Sequence, residues 1–155
     1  KPTYFGSESL YRKWMHHGDI QYGDIVFTME APLGNVAKIN DNHRYILSQR
    51  TIALRCKSFC RNDYFYYFLL SEMFQKYLSL YTSGTTAKGI QRKQLFKLWV
   101  LLPTSTTEQD NIANQLSKID LKIQSEQDYL TKLLNIKQGL MQDLLTHKVP
   151  VDALL

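Results

Sequence analysis

The last third of this chain constrains everything before it. From Ser105 to Thr146, apolar residues recur at Ile112, Leu116, Ile119, Ile123, Leu130, Leu133, Leu140 and Leu144, in alternating steps of four and three. That spacing places all eight on one stripe of an α-helix, with Glu126 and Lys137 at the stripe's two remaining positions. At 1.5 Å per residue the helix spans roughly 60 Å, about twice the width of the small domain that precedes it. Such a domain offers no groove of that length, and a bare apolar stripe gains nothing in water. The helix is therefore expected to protrude and to pair as a coiled coil with another helix, from another chain or a second copy.

Both ends of the helix are marked. Pro103 stops the preceding segment, Ser105 and Glu108 have the spacing of a capping box, and Asp110 adds negative charge to the first turn. His147 and Lys148 put cationic groups at the carbonyl end, and Pro150 cannot continue the helix. Gly139 is the weak position, costing about 1 kcal/mol against alanine. Beyond Leu130 the stripe widens to include Leu134, Ile136, Met141 and Leu145, so the distal end is expected to meet more than one surface.

With 155 residues there is room for one small domain and the helix, but not for two independent domains. The boundaries expected are 1–104 for the domain, 105–147 for the helix and 148–155 for a tail. Charge is divided unevenly between them. Residues 1–100 hold 14 Lys/Arg against 7 Asp/Glu, whereas residues 101–155 hold 5 against 7, so the domain carries +7 and the rest −2. A basic domain suits a polyanionic partner, most often nucleic acid. The amino terminus is polar and aromatic, unlike a leader peptide, and no stretch is apolar for long enough to span a membrane. Cys56 and Cys60 stand in Cys-Lys-Ser-Phe-Cys, with no zinc spacing to His16, His17, His43 or His147, and read as free thiols of a cytoplasmic protein.

In order along the chain, Ser7 to His16 reads as a short helix. Gly18-Asp19-Ile20 and Gly23-Asp24-Ile25 read as turns that feed short strands, the second running through Val26, Phe27 and Thr28. Another strand is expected through Val36, Ala37 and Ile39. Tyr45 to Cys56 is the strongest strand signal, with Ser48-Gln49-Arg50 interrupting it as a bulge or polar cluster. Asp63 to Tyr81 then changes to helical period, capped by Asn62 or Asp63, with Phe65, Phe68, Leu69, Phe74, Leu78 and Tyr81 on one face. A short helix near Gln91 to Phe96 and a strand Leu98 to Leu102 lead into the long helix. The expected fold is a small α/β (α+β) domain whose core is the aromatic helix against the strands.

No catalytic arrangement emerges. Asp24, Glu30 and Asp41 are explained by turns and caps, Ser48 with His43 and Asp41 does not make a triad, and the loop Ser83-Gly84-Thr85-Thr86-Ala87-Lys88-Gly89-Ile90 lacks Walker spacing. No metal site and no catalytic residue are expected, so the chain is read as a non-enzyme.

Several stretches, taken in order, resemble the DNA specificity subunit of type I restriction-modification systems, in particular its second half. They are Gly23-Asp24-Ile25-Val26-Phe27-Thr28, Glu30-Ala31-Pro32-Leu33-Gly34-Asn35-Val36-Ala37, Leu47-Ser48-Gln49-Arg50, Ser83-Gly84-Thr85-Thr86 with Gly89-Ile90, and Leu101-Leu102-Pro103. The long helix resembles the family's spacer through Glu108-Gln109, Ile119-Asp120 and Ile136-Lys137-Gln138-Gly139-Leu140-Met141-Gln142. The resemblance implies a target-recognition domain that reads one half of a split site in double-stranded DNA, and a spacer helix that pairs antiparallel with its counterpart. It also implies docking on methyltransferase subunits and association with a motor-nuclease subunit. Adenosylmethionine, and Mg with ATP, are implied only for those partners, and no cofactor for this chain.

The resemblance covers one recognition domain and one spacer helix where the full subunit has two of each, and the opening residues, from Lys1, are expected to begin inside the domain. It is expected to be a fragment, or a half-subunit that self-associates through the helix. Candidates for DNA contact are Arg12, Lys13, Arg44, Arg50, Thr85, Thr86, Lys88, Arg92 and Lys93, with arginine suited to guanine edges and Lys or Thr to phosphate. Arg50 is equally suited to pairing with Asp24 or Glu30. Ile112, Leu116, Ile119, Ile123, Leu130, Leu133, Leu140 and Leu144 are the candidates for helix pairing. The alternative reading is a helix-mediated protein interaction module whose basic domain has no DNA role.

Overall fold

The computed structural model of the protein describes residues 5–82 and 89–150. It contains helix α1 (Glu8–Trp14), strands β1 (Ile25–Thr28), β2 (Val36–Lys38) and β3 (Thr51–Leu54), and helices α2 (Asn62–Leu70), α3 (Glu72–Ser79), α4 (Arg92–Leu95) and α5 (Thr106–Leu145). The chain divides into two compact units, Lys1–Ala113 and Asn114–Leu155, so the first turns of α5 belong to the first unit.

The strands form one antiparallel sheet in the order β2-β1-β3. β1 is central because its alternation is the cleanest: Ile25 and Phe27 are fully buried, while Val26 and Thr28 on the other face are half-buried. Against the inward face pack Phe68 and Leu69 of α2, Phe74 and Leu78 of α3, Ile90 and Leu95. The rings of Phe27 and Phe74 meet edge-on with centroids 6.4 Å apart, and Phe68 lies 5.4 Å from Phe74. Removing a ring so enclosed costs about 3–5 kcal/mol. The aromatic helical segment packed on the strands is the core anticipated from the periodicity.

That segment is two helices, not the single helix Asp63–Tyr81. Ser71 is extended, with φ −62° and ψ 142°, and its hydroxyl donates to the Phe68 carbonyl and accepts the Phe74 N–H, ending α2 and capping α3 together. Gln75 Nε2 donates to the Leu69 carbonyl, freed by the break, and to Gly34 O in the β1–β2 connection. The α2 cap also differs from expectation. Arg61 is the N-cap residue, without a side-chain capping bond, while Asn62 turns back to accept the Cys56 N–H and donate to Gly23 O.

One further strand assignment shortens and two are absent. Tyr45–Cys56 is strand only over Thr51–Leu54, because Ser48-Gln49-Arg50 forms a turn, not a bulge, in which Ser48 O accepts the Thr51 N–H and Ser48 Oγ the Arg50 N–H. Leu98–Leu102 forms no strand; there the Leu101 carbonyl is taken by the Tyr64 hydroxyl. No strand follows Gly18-Asp19-Ile20, whose Asp19 instead accepts from the Tyr11 hydroxyl. The β1–β2 connection is held by Thr28, whose hydroxyl donates to Pro32 O and accepts the Asn35 N–H, and by Gly34 at φ +87°.

α5 runs unbroken for 40 residues, about 60 Å. At its start Ser105 Oγ accepts the Glu108 N–H. At its end His147 adopts φ +55°, with its N–H on Leu144 O and that of Lys148 on Asp143 O. This pair of bonds is the Schellman arrangement, closed by a histidine where glycine is commonest.

Candidate nucleic-acid interface

The cationic candidates fall into two groups. The first is built on α1, which Ser7 caps by accepting the Leu10 N–H. Glu8, in its first turn, receives Arg12 at 3.2 Å along the helix and both terminal nitrogens of Arg44, at 2.8 and 3.3 Å. The Arg44 guanidinium also lies 3.8 Å from the centre of the Tyr11 ring. Arg44 and then Arg12 hold the Glu8 carboxyl below its ordinary value, and Glu8 pushes Arg44 up in return. Lys13 has no ion-pair partner among the described residues.

The second group surrounds the connection after β1. Arg50 pairs through Nε with Glu30 at 3.0 Å, the second of the two carboxylates considered for it. Glu30 forms a bridge with Gly89, and the Ile90 N–H donates to Met29 O. Arg50 is thus carried to the point where the hydroxyl-rich loop rejoins the core. Thr85, Thr86 and Lys88 lie outside the described residues. Arg92, at the start of α4, lies 5.4 Å from the Phe96 ring, and Lys93 beside it is exposed.

Asp24 has a different partner from the one considered for it. Its carboxylate, 2% exposed, accepts Arg55 Nε and Nη2, each at 2.6 Å, and the Gln21 N–H at 2.8 Å. Burial pushes this carboxyl up, but Arg55 and the Gln21 amide outweigh it and hold the group below its ordinary value. Arg55 was not among the sequence candidates, and its task is to anchor the end of β3. Asp41 accepts the His43 N–H and the Tyr45 hydroxyl, and Ser48 Oγ sits against Thr51, so no triad forms.

Gln109 is the position whose weight the sequence concealed. Fully buried, it accepts the Arg61 N–H at 2.8 Å and donates to Phe59 O at 3.1 Å and Pro103 O at 2.8 Å. One amide thereby fixes the first turns of α5 to the loop before α2. Arg61 adds an ion pair with Asp110 at 3.2 Å. The only available sign was its place beside Glu108 in the spacer-like motif.

In the second unit the helix carries its apolar side chains outward: Leu116, Ile119, Ile123, Leu130, Leu133 and Leu140 are exposed and Leu144 half-buried, as Ile112 is exposed in the first unit. Leu133, Ile136, Leu140, Met141, Leu144 and Leu145 line a shallow groove at the widened distal end. Among the described residues no three His, Cys, Asp or Glu side chains gather to hold a metal ion, and no helix is long and apolar enough to cross a membrane.

These features define a class: a small basic α/β head, continued by one long amphipathic helix whose first turns are built into the head's core. A family model of the type I restriction modification DNA specificity domain matches residues 16–135, from the strands of the head far into α5, and the chain belongs to that family. Among solved structures, the S subunit of a type I restriction-modification system from M. genitalium is similar, with 24% identity and a TM-score of 0.60. The similarity covers 78% of this chain and 31% of the longer one, and it carries the fold.

Proposed function

We propose that this chain is a non-catalytic DNA-recognition and assembly component of a type I restriction-modification complex. Its head reads one half of a split duplex site. α5 pairs antiparallel with the corresponding helix of another recognition domain or of a second copy. The assembly docks on methyltransferase subunits, which supply adenosylmethionine, and through them meets the motor-nuclease subunit. The observation that carries this reading is the continuous family match across head and helix. The head's net charge of +7 supports a phosphate-contacting surface.

The two arginine arrangements suggest different tasks. Both terminal nitrogens of Arg44 are taken by Glu8 and its face is stacked on Tyr11, which suits a structural role. Arg50 meets Glu30 through Nε, where Glu30 bridges to Gly89, and its terminal nitrogens suit a guanine edge. Lys13 and Lys93 suit phosphate.

The test is selection of bound duplexes from a randomised pool, using the chain assembled with its methyltransferase subunits, followed by competition of selected against random duplex. Selected duplex is expected to compete better. Arg50→Ala is expected to weaken binding by about 1–3 kcal/mol and to relax preference at one base position. Equal competition by random and selected duplex would instead favour the helix-mediated interaction module without a DNA role.

A further inference from the structure

Between β3 and α2 lies a pair of thiols that none of these functions uses. Cys56 and Cys60 are both free and half-buried, and their sulfurs are 2.9 Å apart. That is closer than non-bonded carbons sit, about 3.5–4.0 Å, and longer than a disulfide of about 2.0 Å. The loop that carries them is held from several directions. Asn62 Oδ1 accepts the Cys56 N–H, Lys57 O accepts the Cys60 N–H, and Gln109 binds both Phe59 O and the Arg61 N–H. The main chain therefore keeps the sulfurs together without a covalent bond. Both cysteines line an open cleft of about 510 Å³ with Phe59, Phe65 and Leu98, which gives a small disulfide a route to them.

We propose that Cys56 and Cys60 form a reversible dithiol–disulfide site, oxidised by small-molecule disulfides of the glutathione class, which latches the loop that seats α5 in the head. The Cys60 thiolate attacks one sulfur of the oxidant and releases one thiolate, leaving a mixed disulfide on Cys60. Cys56 then loses its proton and attacks the Cys60 sulfur, forming the Cys56–Cys60 bond and releasing the second thiolate. Two protein thiols are oxidised, one external disulfide is reduced to two thiols, and the two protein protons pass to the released thiolates or to solvent. This order follows from Cys56 being less acidic than an ordinary thiol: burial, and then its neighbour Cys60, push it up.

The experiment equilibrates the full chain with reduced and oxidised glutathione in graded ratios, blocks remaining thiols by alkylation, and weighs both the intact chain and the peptide containing residues 56–60. The expected product is a monomer lighter by about 2 Da with neither thiol alkylated, restored by excess reduced glutathione. Cys56→Ser is expected to stop at the mixed disulfide on Cys60. In the oxidised chain, amide exchange at Cys60 and Arg61 is expected to slow, with exchange in the β1 core unchanged. Thiols that stay alkylatable under fully oxidising conditions, mixed disulfides as the end product in the wild-type chain, or disulfide-linked dimers would each overturn the site. Oxidation without slower exchange at Arg61 would overturn the latch.

Discussion

Gln109 satisfies three main-chain groups from one buried side chain, and its replacement tests how the helix is fixed to the head. Gln109→Ala leaves the Arg61 N–H and two carbonyls without that partner, and each buried unpaired group costs about 1–3 kcal/mol. With entering water offsetting part of this, the expected loss is about 3 kcal/mol, read as a lower denaturation midpoint of the head; a loss below about 1 kcal/mol would mean the amide is dispensable. Asp24 makes a prediction in pH. Its folded value lies below the ordinary carboxylate value, so its stabilisation is complete above pH of about 4 and is lost as pH falls through the folded value. Glu8, through Arg44 and Arg12, and Asp41, through the His43 N–H and then Tyr45, shift in the same direction. Acid titration of stability should therefore be shallower in Asp24→Asn but not flat, and an unchanged slope would show that the pair of buried Asp24 with Arg55 does not couple to folding.

At the scale of elements, α5 poses the sharpest energetic problem. Each fully buried Leu or Ile of its stripe contributes about 1.5–3 kcal/mol before ordering costs, so pairing through the stripe is expected. Leu116→Asp combined with Ile123→Asp should weaken association at least about 100-fold, read by sedimentation, while amide exchange in the head stays unchanged. A wild-type chain that stays monomeric at high micromolar concentration would remove self-pairing and leave DNA recognition to its own test. Gly139 separates two accounts of the distal helix. A Cβ built there meets nothing within 4 Å, so Gly139→Ala should raise helix stability by up to about 1 kcal/mol. Weaker association in the same variant would mean that a partner helix approaches closely at that point.

For the whole molecule, the concentration of positive charge in the head predicts steeply salt-dependent DNA binding. Lys13→Ala and Lys93→Ala should each weaken binding similarly on all sequences and lower the salt slope by about 1, as phosphate contacts do. Titration at several salt concentrations measures both effects, and an unchanged slope in either variant removes that lysine from the interface.

The long helix, the β1 and β2 segments, the aromatic core and the charge division were legible in the chain because each is a local repeat or a local sum. Period and capping residues act within a few positions, and they suffice to place a helix over Ser105–Thr146, which is α5 at Thr106–Leu145. Matters settled by contacts across long separations were not legible. The break at Ser71 carries no glycine or proline, and the apolar period continues through it; the Ser71 cap is reinforced by Gln75, which reaches Gly34 O in the β1–β2 connection and takes up the Leu69 carbonyl. Tyr45–Arg50 has strand composition, but its turn at Ser48 leaves only the four residues after it to pair with β1. Which acid each arginine meets followed the same rule. Arg55 reaches Asp24, Arg44 reaches Glu8 and Arg50 reaches Glu30 only once the sheet and α1 are in place, since side-chain charge has no direction until the backbone supplies one. Gln109 is the extreme case, since a polar residue on an amphipathic helix reads as solvent-facing until the loop before α2 folds over it and makes it the most enclosed amide in the head.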